Sequence, residues 1–245
     1  MIDLHLHVLP GIDDGASDLD EACRMCQIAL DDGCQALVVT PHQRHDLWDN
    51  RERETLEELL EQVQRAFGDE LRLHLGAEIR VDSDLLSEIE EIGERGGTPT
   101  SLAGSRYLLL ELDRDGVDLG PDPVALTHEL TVAGWVPIFA HPEHIHGLDD
   151  LALAEQLVAA GGLFQLTAMS VTGDFGPRAQ SLCTHYLDAG LAHFVASDAH
   201  GAGWRPPGLS QARAALARHW GEETAERLTH THPDAVVTDR PLEDR

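Results

Sequence analysis

Short apolar runs alternate with longer helix-periodic segments along almost the whole chain, and this alternation limits the fold more than any other feature. Runs such as ALVVT and FVASD are typical of strands buried on both faces of a parallel sheet. We predict strands over residues 2–7, 35–40, 71–77, 106–112, 136–140, 163–167 and 192–197. We predict helices over residues 18–31, 51–68, 83–93, 122–134, 149–160 and 177–189, with another near 209–227. These repeats predict an α/β fold, an incomplete TIM-like (β/α)7 barrel.

The chain has 245 residues, a length at which α/β barrels commonly form one domain. No linker rich in Pro, Gly or Ser divides it, so we expect a single domain over residues 1–235 and a loose tail over 236–245. No apolar run approaches the roughly 18–20 residues that cross a bilayer. The N-terminus MIDLHLHVLPG also lacks the basic and apolar regions of a secretory signal. We therefore expect a cytoplasmic protein that does not insert into membranes.

The charge balance is strongly acidic, with 17 Lys and Arg against 44 Asp and Glu and a formal net charge of −27. Such a field repels polyanions at long range, which disfavours nucleic acid as a partner.

The four cysteines, at positions 23, 26, 34 and 183, are too few and too irregular for a secreted disulfide framework. Cys23 and Cys26 form a C-x-x-C pair, but no second pair completes a zinc site. Both lie in a helix-periodic segment, so we interpret them as core residues.

Side chains able to bind metal stand at the carboxyl end of nearly every predicted strand. The first strand ends in HLH, and strand alternation places His5 and His7 on one face. The last strand ends in ASDAH, which repeats the spacing with Asp198 and His200. Between them, in chain order, come Asp14, His42, Glu78, Glu111 and His141. We expect these nine side chains to meet, because the active sites of βα-barrels assemble at that end of the strands.

Five imidazoles and four carboxylates form a set of ligands that divalent metals take, and the set contains no thiolate. One ion cannot use nine ligands, so the set predicts two or three ions with a bridging carboxylate. Without such ions, the buried cluster would be costly to desolvate.

The ordered series IDLHLHVLPGIDDGA, VVTPH, GAEI, LLLEL, AHPE, ASDAH and RPP resembles the PHP superfamily. It is most similar to the metal-dependent bacterial tyrosine-protein phosphatases of capsule and exopolysaccharide operons, the CpsB/CapC type. The resemblance spans nearly the whole chain and implies a distorted barrel of the PHP type. It implies one ion held by His5, His7, Glu78 and Asp198, a second bridged by Glu78 and held by Glu111 and His141, and a third held by Asp14, His42 and His200.

The resemblance implies hydrolysis of a phosphate monoester, because bound divalent ions polarise phosphate oxygens and activate water. Manganese suits this role, with iron or zinc as alternatives. Arg205, in GWRPP, is our first candidate to bind the phosphate as a guanidinium fork. Relatives usually carry HPER or HIER after the fifth strand, whereas this chain reads HPEH and places His144 there. His144 is a candidate phosphate donor or general acid, and Arg44 and Arg80 are either further phosphate ligands or surface ion pairs.

The leading interpretation is a metal-dependent protein-tyrosine phosphatase that acts on a tyrosine kinase controlling polysaccharide assembly, with Arg205 and His144 as catalytic residues. One alternative is a small-molecule phosphatase, such as one acting on histidinol phosphate. Another is a non-catalytic protein that binds a kinase, although such a protein would be expected to lack metal ligands. A nuclease is disfavoured, because the chain has no basic stripe.

Overall fold

A computed structural model of the chain describes residues 1–45, 47–82, 84–87, 101–113 and 122–243. Each predicted strand is present in it, and the paired strands are parallel. The strand segments are β1 Ile2–Leu6, β2 Ala36–Val39, β3 His42–Gln43, β4 Arg72–Leu75, β5 Glu78–Arg80, β6 Tyr107–Glu111, β7 Val136–Ala140, β8 Leu163–Thr167 and β9 Phe194–Ala196.

The predicted strands over 35–40 and 71–77 are each followed by a further short segment that we did not predict, β3 and β5. Pro41 lies between β2 and β3 and has no N–H to donate to a neighbouring strand. Gly76 lies between β4 and β5, where a Cβ would come within 2.9 Å of the side chains of Leu102 and Val38. The breaks divide the strands over two sheets, with the orders β1-β2-β4 and β3-β5-β6-β7-β8-β9.

The chain segment after β9 meets the carboxyl end of β1. The His7 N–H donates to the Ala199 carbonyl at 2.9 Å, and the Asp198 N–H donates to the His5 carbonyl at 2.8 Å. The strands therefore follow the order of a distorted TIM-like barrel, which confirms the predicted α/β fold. Within the described residues, the two sheets do not merge into one continuous closed sheet.

Helices connect the strands, and the Asp18 carboxylate caps the first of them by accepting from the Glu21 N–H. The predicted helix over 83–93 falls mostly outside the described residues. The helix predicted near 209–227 is interrupted at Gly221, whose φ is 91°. None of the described helices is long and apolar enough to cross a membrane. The described α-helices are α1 Leu19–Asp31, α2 Arg53–Phe67, α3 Pro123–Val132, α4 Leu151–Ala159, α5 Ala168–Thr172, α6 Pro177–Asp188, α7 Ser210–Trp220, α8 Glu222–Glu226 and α9 His232–Val237.

The C-terminal segment packs against the amino ends of the strands. Val236 and Leu242 are 0% and 7% exposed and belong to a buried cluster with Tyr107 and Leu109 of β6. The buried Tyr107 hydroxyl donates to the Arg240 carbonyl at 2.6 Å. The domain boundary at residue 235 stays a prediction, but residues 236–243 are not the loose tail that we expected, because they cover apolar side chains at this end of the strands.

We expect Leu242→Ala to lower the free energy of unfolding by about 2–3 kcal/mol, because it leaves a cavity in this buried cluster. Leu47→Ala is a matched control, since Leu47 is 75% exposed, and its effect should stay within about 0.5 kcal/mol. Urea denaturation followed by circular dichroism measures both values. Equal midpoints for the two variants would show that the C-terminal segment contributes nothing to stability.

Candidate metal centre

His5 and His7 extend from the end of β1 and point one ring nitrogen each toward a common space. Their Nε2 atoms are 3.3 Å apart. The opposite ring nitrogens are held in place, because His5 Nδ1 is 2.7 Å from Gln165 Oε1 and His7 Nδ1 is 2.9 Å from Asp13 Oδ2. These hydrogen bonds select the tautomer that leaves Nε2 free to bind a metal.

Glu78 and Asp198 both lie close to these two imidazoles. His5 Nε2 lies 3.4 Å from Glu78 Oε2 and 3.4 Å from Asp198 Oδ1. His7 Nε2 lies 3.4 Å from the same Glu78 oxygen and 3.7 Å from the same Asp198 oxygen. The side chains of all four residues are almost fully buried.

Glu78 also lies close to two further imidazoles, those of His42 and His141. His42 Nδ1 lies 3.0 Å from Glu78 Oε2, and His141 Nε2 lies 2.9 Å from Glu78 Oε1. Glu111 joins them, with Oε2 3.8 Å from His42 Nδ1 and Oε1 3.9 Å from His141 Nε2. Glu78 thus lies between two groups of candidate ligands, which is the position that a bridging carboxylate requires.

Asp14 gathers the remaining two predicted residues. Its Oδ1 lies 3.3 Å from His42 Nε2 and 3.4 Å from His200 Nε2. The described residues contain three groups whose ligand atoms lie within 4.8 Å of one another: His7, Asp14, His42 and His200; His5, His7 and Asp198; and His42, Glu78 and Glu111. The structure therefore brings all nine predicted residues to one place. These groups differ from the sets that the resemblance implied. His7 joins the group of Asp14, His42 takes the place of His141 beside Glu78 and Glu111, and Glu78 is not in the group of His5, His7 and Asp198.

The turn after β1 depends on a glycine. A Cβ at Gly15 would lie 2.0 Å from the His7 carbonyl oxygen, so no other residue permits this approach. Gly15 donates its N–H to Asp13 Oδ1 at 3.0 Å, and Asp13 Oδ2 accepts from the His42 N–H at 3.2 Å. Asp13 therefore holds the turn, His7 and His42 together.

Two of the candidate ligands adopt left-handed backbone conformations. His141 has φ 35° and Asp198 has φ 51°. Such conformations are unfavourable for residues other than glycine, and they concentrate at functional sites. Here they direct side chains from the ends of β7 and β9 into the cluster.

The electrostatics of the cluster favour charged carboxylates and charged imidazoles. Burial alone would raise the pKa of Glu78, yet the imidazoles of His5, His42 and His141 hold that pKa well below its usual range. Burial alone would lower the pKa of His7, but the Asp13 carboxylate raises it to about 9. The charge of Glu78 and the hydrogen bond that His42 donates to Asp14 likewise raise the pKa of His42 to about 11. In the absence of metal, the imidazoles of His7, His42 and His141 thus take the positive charge that the carboxylates require, whereas burial lowers the pKa of His200.

Arg205 and His144 lie at the edge of this cluster. The Arg205 guanidinium pairs with Asp198 Oδ2. His144 Nε2 lies 3.0 Å from Ser170 Oγ and 3.7 Å from Glu143 Oε1, and its ring centroid is 6.2 Å from that of His141. Both side chains therefore lie next to candidate metal ligands, Arg205 beside Asp198 and His144 beside His141.

Arg44 and Arg80 are paired with carboxylates outside the cluster. Arg44 Nη2 contacts Asp82 Oδ1, and Arg80 Nη2 lies 3.7 Å from Asp113 Oδ2. Each guanidinium therefore has an acidic partner, as the ion-pair alternative predicts. The Arg44 side chain is only 5% exposed, however, so its pair is not a surface one.

The sequence interpretation did not include Asp13 and Gln165, although both orient candidate ligands. Gln165 had a usable signal, since it is the only amide within the apolar strand LFQLT and is fully buried. The role of Asp13 was harder to predict. Nothing in the pair Asp13–Asp14 shows which carboxylate is the candidate ligand and which one orients the ligands.

Comparison with known proteins places the chain in a family. The family model described as capsular polysaccharide synthesis, CpsB/CapC, matches residues 1–238. The chain belongs to the CpsB/CapC family. It is 34% identical to CapC of Staphylococcus aureus over 86% of this chain and 81% of that protein. It is 30% identical to the tyrosine-protein phosphatase YwqE of Bacillus subtilis over 94% of this chain and 89% of that protein.

Solved structures agree with the CpsB/CapC assignment. One structure, from work on YwqE of Bacillus subtilis and CpsB of Streptococcus pneumoniae as metal-dependent tyrosine phosphatases, superposes with a TM-score of 0.89. Its identity is 26%, over 99% of this chain and 96% of that one. A histidinol phosphate phosphatase of Lactococcus lactis has a TM-score of 0.58 at 11% identity, which shows a shared fold alone.

If the cluster binds divalent ions, metal should stabilise the protein more as the pH rises from 6.5 to 9. In metal-free protein, the raised pKa values of His7 and His141, both about 9, contribute stability that is full below pH 6.5 and is lost as the pH rises through 9. Metal binding needs neutral imidazoles, so it strengthens over the same range. We therefore expect the difference in Tm between metal-loaded and chelated protein to widen across this range in scanning calorimetry. A difference that stays constant or narrows would show that these imidazoles do not bind the ions.

Proposed function

We propose that this chain is a metal-dependent protein-tyrosine phosphatase whose substrate is a phosphotyrosine-bearing kinase that regulates polysaccharide synthesis. The observation that carries this proposal is the convergence of five histidines and four carboxylates at the ends of the strands. Two relatives support it, because YwqE is named a tyrosine-protein phosphatase and the superposed structure is described as metal-dependent. A non-catalytic kinase-binding protein would have no need to keep all nine side chains.

The donor set fits divalent metal ions. Each of the three groups offers at least three nitrogen or oxygen atoms within 4.8 Å of one another, and such mixed sets suit manganese, iron or zinc. We propose two or three ions, with manganese as the first choice and Glu78 as the bridge. When bound, these ions would polarise phosphate oxygens and activate water for attack on phosphorus.

Arg205 supplies the fixed positive charge for the phosphate. A guanidinium remains charged at all working pH values and can contact two phosphate oxygens at once. In the structure it pairs with Asp198, which we propose as a metal ligand. Binding of the substrate would therefore draw Arg205 from this carboxylate toward the phosphate.

The environment of the cysteines does not favour a thiolate as the nucleophile. Cys26, Cys34 and Cys183 are buried, and burial raises the pKa of each thiol, that of Cys26 to about 12. Burial also raises the pKa of Cys23, the remaining cysteine. Nucleophilic cysteines need a lowered pKa, so hydrolysis through the metal cluster is the better account.

Chelation should abolish hydrolysis of phosphotyrosine peptides, and added Mn²⁺ should restore it. Glu78→Gln should cause the largest loss of metal among single carboxylate variants, because an amide cannot bridge two ions as a carboxylate does. Metal content by mass spectrometry and the rate on a phosphotyrosine peptide measure these effects, with Glu129→Gln, on α3, as the matched control. Full activity after exhaustive chelation would overturn the metal mechanism, and unchanged metal content in Glu78→Gln would exclude Glu78 as the bridge.

His144→Arg should lower KM for an aryl phosphate at pH 8 by roughly 3- to 10-fold, because it supplies a permanent guanidinium fork. Imidazoles ordinarily titrate near pH 6.5, so the KM of the natural chain should rise with pH while that of His144→Arg stays flat. If His144 is instead the general acid, kcat should fall in both His144→Arg and His144→Ala. Steady-state kinetics from pH 5.5 to 8.5 separates the two roles, and superimposable profiles for all three proteins would exclude both.

A further inference from the structure

The aromatic side chains of this chain are distributed unequally between the core and the metal cluster. The sequence has eleven Phe, Trp and Tyr residues, all within the described part of the chain. Eight of them belong to the hydrophobic cores or pack against them: Phe67, Tyr107, Trp135, Phe139, Phe164, Tyr186, Phe194 and Trp220. The other three, Trp48, Phe175 and Trp204, lie beside the metal cluster or the residues at its edge.

Trp48 stacks on one of the candidate metal ligands. It lies in the connection between β3 and α2, and its ring is 5.2 Å from that of His42 at an interplanar angle of 11°. It also contacts His45 of the same connection, with ring centroids 4.6 Å apart. Its ring therefore lies at the edge of the cluster on the side of Asp14 and His42.

Phe175 and Trp204 lie around Arg205. The guanidinium carbon of Arg205 is 5.5 Å from the centre of the Phe175 ring and 5.7 Å from that of Trp204. Phe175 also meets His144 edge to face at 5.3 Å, and Trp204 approaches His200 at 6.4 Å. Phe175 comes from the connection between α5 and α6, and Trp204 from the connection between β9 and α7.

We call Trp48, Phe175 and Trp204 the aromatic rim. Three separate connections supply its rings, and each ring contacts a residue of the cluster or a proposed phosphate ligand. Burial does not explain the position of Trp204, which is 67% exposed, whereas the side chains of Trp48 and Phe175 are half-buried. Exposed aromatic side chains beside a polar site are typical of ligand binding.

We propose that the aromatic rim is a subsite for the aryl ring of the substrate, and that it makes the enzyme prefer phosphotyrosine to alkyl phosphates such as phosphoserine. This inference rests on the proposed phosphatase function. In phosphotyrosine the ring is joined directly to the ester oxygen, so a phosphate at the cluster places that ring at the level of the rim. Phosphoserine has only a methylene group there and cannot form the ring contacts.

The test compares phenylphosphonate with methylphosphonate, two ligands that share a headgroup resistant to hydrolysis and differ only in the ring. Calorimetric titration of the Mn²⁺-loaded protein gives a Kd for each. We expect phenylphosphonate to bind more tightly, and the ratio of the two Kd values to fall by roughly 3- to 10-fold in Trp204→Ala, Phe175→Ala and Trp48→Ala. Trp220→Ala, which removes a tryptophan packed against the core, should keep the ratio of the natural chain.

The ratio separates an aryl subsite from a supporting role. A rim residue that only positions Arg205 or His42 would weaken both ligands equally when removed and leave the ratio unchanged. Unchanged ratios in all three rim variants would therefore overturn the proposal. Failure of the proposed function has a different result, namely no hydrolysis of phosphotyrosine peptides by the natural chain, and the two Kd values report on the rim in either case.

Discussion

The rest of the structure depends on the burial of many ionisable groups in one small volume. Isolated charges in such a place would be prohibitively costly, so each carboxylate must have an imidazole, a guanidinium or a metal ion beside it. The observed arrangement meets this condition, since Glu78 lies between imidazoles on two sides and Asp198 lies between His5 and Arg205. The constraint extends to the backbone, where Gly15 allows the ligand-bearing turn to touch β1. Removing any one partner leaves its neighbours unbalanced.

Much of this arrangement can be predicted from the sequence. The apolar runs that mark strands are local patterns, and in parallel βα folds the site residues follow the carboxyl ends of those strands. The seven strands and the meeting of the nine ligand side chains are of this kind. The break at Pro41 could have been predicted from the sequence, because proline has no N–H to donate. The break at Gly76 and the packing of Val236 and Leu242 depend on contacts between distant residues, so no local pattern contains them. The pairing of Arg44 with Asp82 is equally non-local, since the partners are 38 positions apart in the chain. The position of the aromatic rim outside the core could have been predicted from the sequence. Its members lie in HDLWDN, GDFGP and GAGWRPP, which are segments too polar or too rich in Gly and Pro to belong to a core.

The charge of the chain and the charge of its site have opposite effects on a substrate. A net charge of −27 repels anions at long range, whereas bound divalent ions and Arg205 would attract a phosphate at short range. A phosphate carried on a protein is presented by the partner's own surface, which can be basic and so be attracted to this acidic chain. A free phosphate metabolite has no basic surface of its own to offset the repulsion by this acidic chain. The combination therefore suits a macromolecular substrate better than a small anion.

The hydrogen bonds between the residues after β9 and the end of β1 affect the order in which the molecule matures. His5 and His7 leave the ribosome before Asp198 and His200, which follow them by 193 positions in the chain. Until then, the early imidazoles lack the backbone partners at residues 198 and 199 and one carboxylate of their group. A nascent chain thus cannot present a finished set of ligands to the ions of the cell. The groups that contain Asp198 and His200 are therefore completed only when the segment after the last strand docks, whereas the residues of the group of His42, Glu78 and Glu111 are all present by residue 111.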